Sequence, residues 1–596
     1  MNALVQLKQL VAGLELKPCD GLLDVRRLPD CGGQNSGGDD AAITYGIYRC
    51  RKKCRVIAET STLKRIMINV RDATYQILRH HGMTTVFGNP GSNELPFLKD
   101  FPSDFRYVLG LHEGVVVGMA DGFAQASGLP GLVNLHSAAG TGNGMGALAN
   151  AWNSHTPLVV TAGQQVRNTL SLEPMLANVE AANLPRPLVK WSSEPSCAEE
   201  VPSAFSRAIH MAQAPAKGPV YLSIPYDDWD REASRGVDHL WGRSVSHGGH
   251  LSAQQVGRLA ERLDEARNPV LVLGPDVDAC KANDAVVELA ERLRCPVWIA
   301  PSAPRCPFPT SHACFRGVLP SGMASVSRLL EGHDLILVVG APVFRYHQHE
   351  PGALLPENAE LISITVDVHE ASRAPVGVAL VTPDLQAAVA SIVRSVAQSQ
   401  RAMPAARPAP APAPLTKGWV APETLFDIVG RDAPSDAIFV NESTSTMGAL
   451  WARLKMTVPG SYFFAAAGGL GFGMPAAVGV QLACPNRRVI ALIGDGSVNY
   501  GITALWTAAQ YRIPVVFVVL KNGTYGALRR FAEILDVRDA PGLDVPGIDF
   551  CSLAQGYGVQ SESVDDAAAL EKAFRKALAT GQPFLLEVVT AAGARN

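Results

Sequence analysis

From residue 67 onward the chain repeats one pattern. Short apolar runs end in glycine, proline, asparagine or serine, with helical periodicity between them. The runs 85–87, 107–111, 132–135, 158–161 and 220–224 come first. A second set is 269–273, 297–300, 335–339 and 361–366, and a third is 437–440, 489–493, 515–520 and 584–588. They are continuous rather than alternating, as expected of strands buried on both faces of a parallel sheet. Segments 73–78, 114–126 and 503–511 carry the period of helices packed on such sheets. The pattern predicts an α/β chain of three doubly wound parallel-sheet domains.

Breaks in the pattern set the boundaries. Residues 1–66 lack it and hold Cys19, Cys31, Cys50 and Cys54 as well as the basic run Arg49–Arg55. This piece is +4 against a whole-chain charge of −3, so the remainder is −7. No C-x2-C pair supports a zinc site. The stretch reads as a disordered extension or a start placed too early. The domains are then 67–248, 249–403 and 422–596. An alternating Ala-Pro linker at 404–421 separates the last two and favours extended polyproline II.

Composition narrows the function classes. A 596-residue chain with 47% hydrophobic and 18% charged residues can bury large cores. The acidic balance gives no electrostatic case for nucleic acid. The uncharged stretch 461–484 is long enough to span a membrane. It contains Gly468, Gly469, Gly471, Gly473, Pro475 and Gly479, and reads instead as a glycine-rich loop entering a buried helix. Eleven cysteines are too few for a disulfide scaffold. Residues 1–16 have no secretory pattern. The expected compartment is the cytoplasm.

The strongest chemical signal lies in the third domain. The run 489–493 ends at Gly494-Asp495-Gly496-Ser497, and the run 515–520 ends at Lys521-Asn522-Gly523-Thr524. In one βαβ unit both ends fall at the carboxyl edge of the sheet, where such folds bind ligands. Asp495 offers a carboxylate and Asn522 a neutral oxygen, a set suited to Mg²⁺ shared with phosphate and water. Gly-Asp-Gly alone is more often just a turn after a strand. The second motif weakens that alternative.

The spacing resembles the thiamine diphosphate motif, in which Gly-Asp-Gly is followed by Asn. Two Asn usually stand there, and Lys521 replaces the first. Such a cofactor needs a carboxylate beside its aminopyrimidine ring. Glu113, before an apolar helix, is the candidate, although an acid there also favours the helix dipole. Leu470, in Gly468-Gly469-Leu470-Gly471, resembles the apolar wedge that bends the cofactor, with the Gly468 carbonyl accepting from its amino group.

Longer segments are more specific. Gly88–Pro96, Leu135–Asn143, Gly340–Gln348, Asn441–Thr446 and Pro541–Phe550 resemble the benzoylformate decarboxylase family, and the similarity runs from about residue 67 to the C-terminus. The resemblance implies non-oxidative decarboxylation of an aryl 2-keto acid to an aldehyde and CO2. It assigns Ser92, His136 and His347 to the catalytic site with Glu113. Ser92 holds the substrate carboxylate, His136 handles the proton on the keto oxygen, and His347 protonates the carbon that loses CO2.

Thr444, Ser445, Gly468, Leu470, Asp495, Gly496, Ser497, Asn522, Thr524 and Tyr525 fall to thiamine diphosphate. Asp495, Asn522 and Thr524 fall to Mg²⁺, with Ca²⁺ able to take its place. Phe464, Ala527 and Phe531 fall to the substrate pocket. Ala465 stands where the family has cysteine and Arg530 where it has tryptophan, so preference among aryl and branched 2-keto acids stays open. The resemblance also implies a homo-oligomer, a tetramer with active sites at dimer interfaces. A related 2-keto acid decarboxylase or an acetolactate-synthase-like carboligase is the alternative. A scaffold without chemistry would lack Glu113, Asp495 or Asn522, and all three are present. A nucleotide module at 274–278 lacks G-x-G-x-x-G.

Overall fold

Three parallel sheets of six strands follow one another along the chain. The computed structural model describes residues 68–344, 349–375 and 377–591. The extension 1–66 and His347 lie outside the described residues. In chain order, β1 (Thr85–Gly88), β2 (Arg106–Leu109), β3 (Gly131–Leu135), β4 (Leu158–Gln164), β5 (Trp191–Ser193) and β6 (Val220–Pro225) form the first sheet. Its spatial order is β2-β1-β3-β4-β6-β5. The second holds β7 (Pro269–Leu273), β8 (Val297–Ile299), β9 (Phe315–Val318), β10 (Leu335–Val339), β11 (Glu360–Thr365) and β12 (Val378–Val381) in the order β12-β11-β10-β7-β8-β9. The third holds β13 (Ile438–Glu442), β14 (Tyr462–Phe464), β15 (Val489–Gly494), β16 (Val516–Lys521), β17 (Gln560–Val564) and β18 (Phe584–Val589) in the order β14-β13-β15-β16-β18-β17. Neighbouring strands pair in parallel throughout.

Each order contains a switch point, where successive strands leave in opposite directions and open a crevice at their carboxyl ends. These points lie between β1 and β3, between β7 and β10, and between β13 and β15. The first crevice receives Gly88–Ser92 and His136. The third receives Glu442–Ser445 and Asp495. Both groups belong to the site expected from the sequence.

The middle crevice is closed. A Cβ on Gly274, just after β7, would lie 2.2 Å from that of Ala341, just after β10. His155 reaches in from the first domain and places Nδ1 2.9 Å from Asp276 and Nε2 3.4 Å from Asp367. Burial alone would push this imidazole down, but the two carboxylates raise its pKa to about 10. A cavity of about 80 Å³ beside it is lined by Gln125, Lys217, Cys280 and Arg305 and by none of the expected site residues.

The first and third domains meet through two helices, Glu113–Ser127 and Gly473–Ala483. They cross so closely that a Cβ on Gly479 would fall 1.9 Å from the Met119 carbonyl oxygen. The stretch 461–484 is therefore β14, a loop and this helix. No helix among the described residues is long and apolar enough to cross a membrane.

The glycine-rich stretch 137–144, loop-like in composition, opens the helix Ser137–Asn153. One local expectation needs correction. The strand expected at 107–111 stops at Leu109, and Glu113 is the first helical residue rather than the one before the helix.

Candidate functional site

The first crevice is built around a carboxylate that the sequence reading left without a role. Glu94 is buried, and its Oε1 accepts from the Gly163 amide at 2.7 Å and the Ser137 amide at 3.3 Å. Its Oε2 accepts from the Gly91 amide at 2.9 Å and lies 2.8 Å from His136 Nδ1. A carboxylate can only accept, so Nδ1 carries the hydrogen and Nε2 stays free to exchange a proton. A Cβ on Gly91 would sit 2.1 Å from His136 Nδ1, so only glycine leaves room for the ring. Ser92 follows at once and is exposed, at the start of the short turn Ser92–Glu94. His136 and Ser92 thus share one rim.

Glu113 lies on the same side of the sheet. It is largely buried between two amides: Asn89 donates to Oε1 at 3.1 Å and Asn143 donates to Oε2 at 3.0 Å. Asn89 comes from the loop after β1 and Asn143 from the helix that follows His136. A Cβ on Gly140 would come within 3.2 Å of the Glu113 side chain. The carboxylate is therefore fixed by side chains that leave it free to accept one further hydrogen bond.

The third crevice holds the second group. Asp495 Oδ2 accepts from the amides of Asn522 at 2.9 Å and Gly523 at 2.6 Å, and Oδ1 accepts from Gly496 at 2.8 Å. The loop after β16 is folded over the end of β15 by these bonds. Burial raises the Asp495 pKa, and the three amides oppose that rise. Asn522 Oδ1 caps the Thr524 amide at 3.0 Å. The Thr524 hydroxyl is used elsewhere: it donates to the Leu543 carbonyl at 2.7 Å and accepts from Arg529 Nε at 2.6 Å. Thr524 therefore has its backbone carbonyl to offer a cation.

Asp495, Asn522 and that carbonyl make a set of hard oxygens on adjoining loops, which fits Mg²⁺ and leaves positions for phosphate and water. Gly496 packs beneath Tyr525, whose ring a Cβ would meet at 2.5 Å. Ser497 is buried in the same turn. Thr444 and Ser445 are exposed in the turn after β13, and a Cβ on Gly526 would lie 3.3 Å from both Ser445 and Asn522. The residues expected to bind diphosphate thus meet in one place.

Lys521, where the usual motif has Asn, points its charge elsewhere. Its Nζ lies 3.4 Å from Glu587 on the neighbouring strand β18.

The loop carrying Gly468 and Leu470 is held from two sides. Glu442, at the end of β13, accepts from the amides of Gly471 at 2.8 Å, Phe472 at 3.2 Å and Gly473 at 2.8 Å. Burial raises the Glu442 pKa to about 7, against the pull of those three donors. Asn150 holds the loop from the first domain. Gly468 sits between these anchors at φ +72°. Leu470 is half-buried.

Of the expected pocket residues, Ala527 and Phe531 are half-buried on the helix Gly526–Ile534, one turn apart. Phe464 is buried in the core that joins the middle and third domains. Among the described residues, no hydrogen bond joins the Glu94–His136–Glu113 group to the Asp495–Asn522 group.

Glu94, Asn150 and Glu442 were missed because a buried polar side chain leaves no periodic trace in sequence. The one signal available was Glu94 two residues after Ser92 and Glu442 at the end of a strand.

Comparison with known proteins matches three family models. They are the thiamine pyrophosphate enzyme N-terminal TPP binding domain over residues 68–181, the central domain over 256–392, and the C-terminal TPP binding domain over 443–588. A benzoylformate decarboxylase of Pseudomonas aeruginosa is 63% identical over 524 residues, covering 88% of this chain and 99% of that protein. A Rhodococcus jostii thiamine diphosphate-dependent 4-hydroxybenzoylformate decarboxylase superposes with a TM-score of 0.87 at 58% identity, covering 88% of this chain and 99% of that one. A benzoylformate decarboxylase from Polynucleobacter necessarius superposes with a TM-score of 0.85 at 39% identity, covering 88% of this chain and 98% of that one.

Proposed function

The chain belongs to the benzoylformate decarboxylase family of thiamine pyrophosphate enzymes, and from that membership we infer that it splits benzoylformate into benzaldehyde and CO2. The observation that carries this reading is the 63% identity to such a decarboxylase over 99% of its length.

When bound, thiamine diphosphate supplies the electron sink for the pair left by the broken C–C bond. The chain's own residues do the rest. Asp495, Asn522 and the Thr524 carbonyl would hold Mg²⁺, with Gly496, Ser497, Thr444, Ser445 and Tyr525 near the diphosphate. Glu113, steered by Asn89 and Asn143, would accept a hydrogen bond from the aminopyrimidine ring. The Gly468 carbonyl and Leu470 would hold the cofactor's rings. Ser92 donates to the substrate carboxylate. His136 moves a proton at the keto oxygen through Nε2. His347 is assigned to the carbon that has lost CO2. Phe464, Ala527 and Phe531 enclose the aryl group.

The active form is a homotetramer in which Glu113 of one protomer serves the diphosphate site of another. The enzyme works in the cytoplasm, and its seven described cysteines, all unpaired, suit a reducing compartment.

A keto-acid panel tests the reading. Protein loaded with thiamine diphosphate and Mg²⁺ is offered benzoylformate, 4-hydroxybenzoylformate, pyruvate and a branched 2-keto acid, and CO2 is measured. Benzoylformate should turn over best. Preference for the hydroxylated ring would move the assignment toward the Rhodococcus jostii relative. Turnover of pyruvate alone would overturn it.

A further inference from the structure

Asn143 and Asn150 are two turns apart on the helix Ser137–Asn153, so their side chains share a face. Asn143 donates to Glu113 at 3.0 Å. Asn150 reaches the third domain with both ends of its amide. Its Nδ2 donates to the Gly469 carbonyl at 2.9 Å, and its Oδ1 accepts from the Ala467 amide at 3.1 Å. It is buried, 2% exposed, so both bonds form away from water, where an unmade partner is costly. Between the two contacts lies Gly468. The same segment is gripped from β13 by Glu442 through three amides. Loop 465–472 has no regular secondary structure of its own to fix its path. Two buried side chains from different domains do so instead.

We propose that Asn150, with Glu442 as its counterpart, is a positioning residue that holds segment 467–473 in the shape that bends thiamine diphosphate. It thereby couples the cofactor's ring angle to the helix that also carries Asn143. This rests on the assignment of Gly468 and Leu470 to the cofactor. A residue that merely glued two domains together would weaken all ligands of the third domain alike. A residue that sets the bend acts on a ligand that spans both rings and not on one that fills the diphosphate end only.

The experiment compares thiamine diphosphate with inorganic pyrophosphate, each with Mg²⁺, by titration calorimetry on wild type, Asn150→Ala, Asn150→Asp and Glu442→Gln. Asn150→Asp keeps the acceptor for Ala467 but sets an oxygen against the Gly469 carbonyl. Each variant should bind thiamine diphosphate about tenfold more weakly and bind pyrophosphate unchanged. The near-ultraviolet dichroism of the bound cofactor should change as well. Equal weakening of both ligands, or wild-type affinity and spectrum, overturns the proposal. Should Asn150→Ala fail to fold, Asn150→Asp and Glu442→Gln still decide it. A wild-type protein that binds pyrophosphate but not thiamine diphosphate would sink the functional reading itself.

Discussion

His136 Nδ1 lies 2.8 Å from Glu94 Oε2, and the same carboxylate is tied to the amides of Gly91 and Gly163. The histidine is therefore oriented by a buried group with backbone contacts on the loop after β1 and on strand β4. Glu94→Gln turns an amide N–H toward those donors and removes the fixed acceptor for Nδ1. The expected result is a fall in kcat of about 100-fold with thiamine diphosphate affinity unchanged. Steady-state kinetics and calorimetry on the same preparation check this. An unaltered kcat would mean that the orientation of His136 is not used.

Gly91→Ala probes the same ring sterically. The added methyl would collide with the imidazole at 2.1 Å, and Gly91 has no other role visible beyond its amide. The variant should fold and bind cofactor but lose turnover by at least about tenfold through misplaced proton transfer. A crystal structure showing His136 unmoved, together with full activity, would refute it.

Asp495→Asn removes the charge proposed to hold the metal. Wild type with thiamine diphosphate and Mg²⁺ at about 100 times the dissociation constant should gain about 2.7 kcal/mol. Thermal scans will show this as a raised midpoint. The gain should vanish in the variant, and in wild type treated with a chelator. A midpoint shift that persists in Asp495→Asn would place the cation elsewhere.

The His155 clasp has a definite pH signature. Its folded pKa of about 10 lies above the ordinary histidine value, so its contribution is complete below about pH 6.5 and is lost as pH rises through 10. Asp367, though partly buried, is held down to about 2 by His155 and by the His369 amide, so its share is complete above about pH 4 and is lost as pH falls through 2. Breaking the buried cluster with His155→Gln should cost about 3 kcal/mol near pH 6. It should also flatten the decline in stability between pH 7 and 10. Urea midpoints across that range test both. Parallel curves for wild type and variant would rule the clasp out.

The central strands were legible because strands buried on both faces need unbroken apolar runs. The edge strands β5, β9, β12, β14 and β17 were not. They are short; β17 is polar in sequence, and β12 and β17 each bury a single residue, so no long apolar run marks them. The start of the helix Ser137–Asn153 was hidden for a different reason. Its glycines have loop propensity, and packing against Glu113 and Val117 overrides it.

By itself the sequence determined the three-domain α/β architecture and pointed to the Asp495–Asn522 pair and Glu113 as candidates. Such features are written in local runs and short motifs. Tertiary structure alone decided which buried polar groups hold those residues in place. Glu94 meets Gly163, Asn150 meets Gly469, and His155 closes the middle crevice on Asp276 and Asp367. These partners are far apart in the chain, and a hydrogen bond between distant residues obeys no period. Only folding brings the donor and acceptor together, and only burial makes their pairing obligatory.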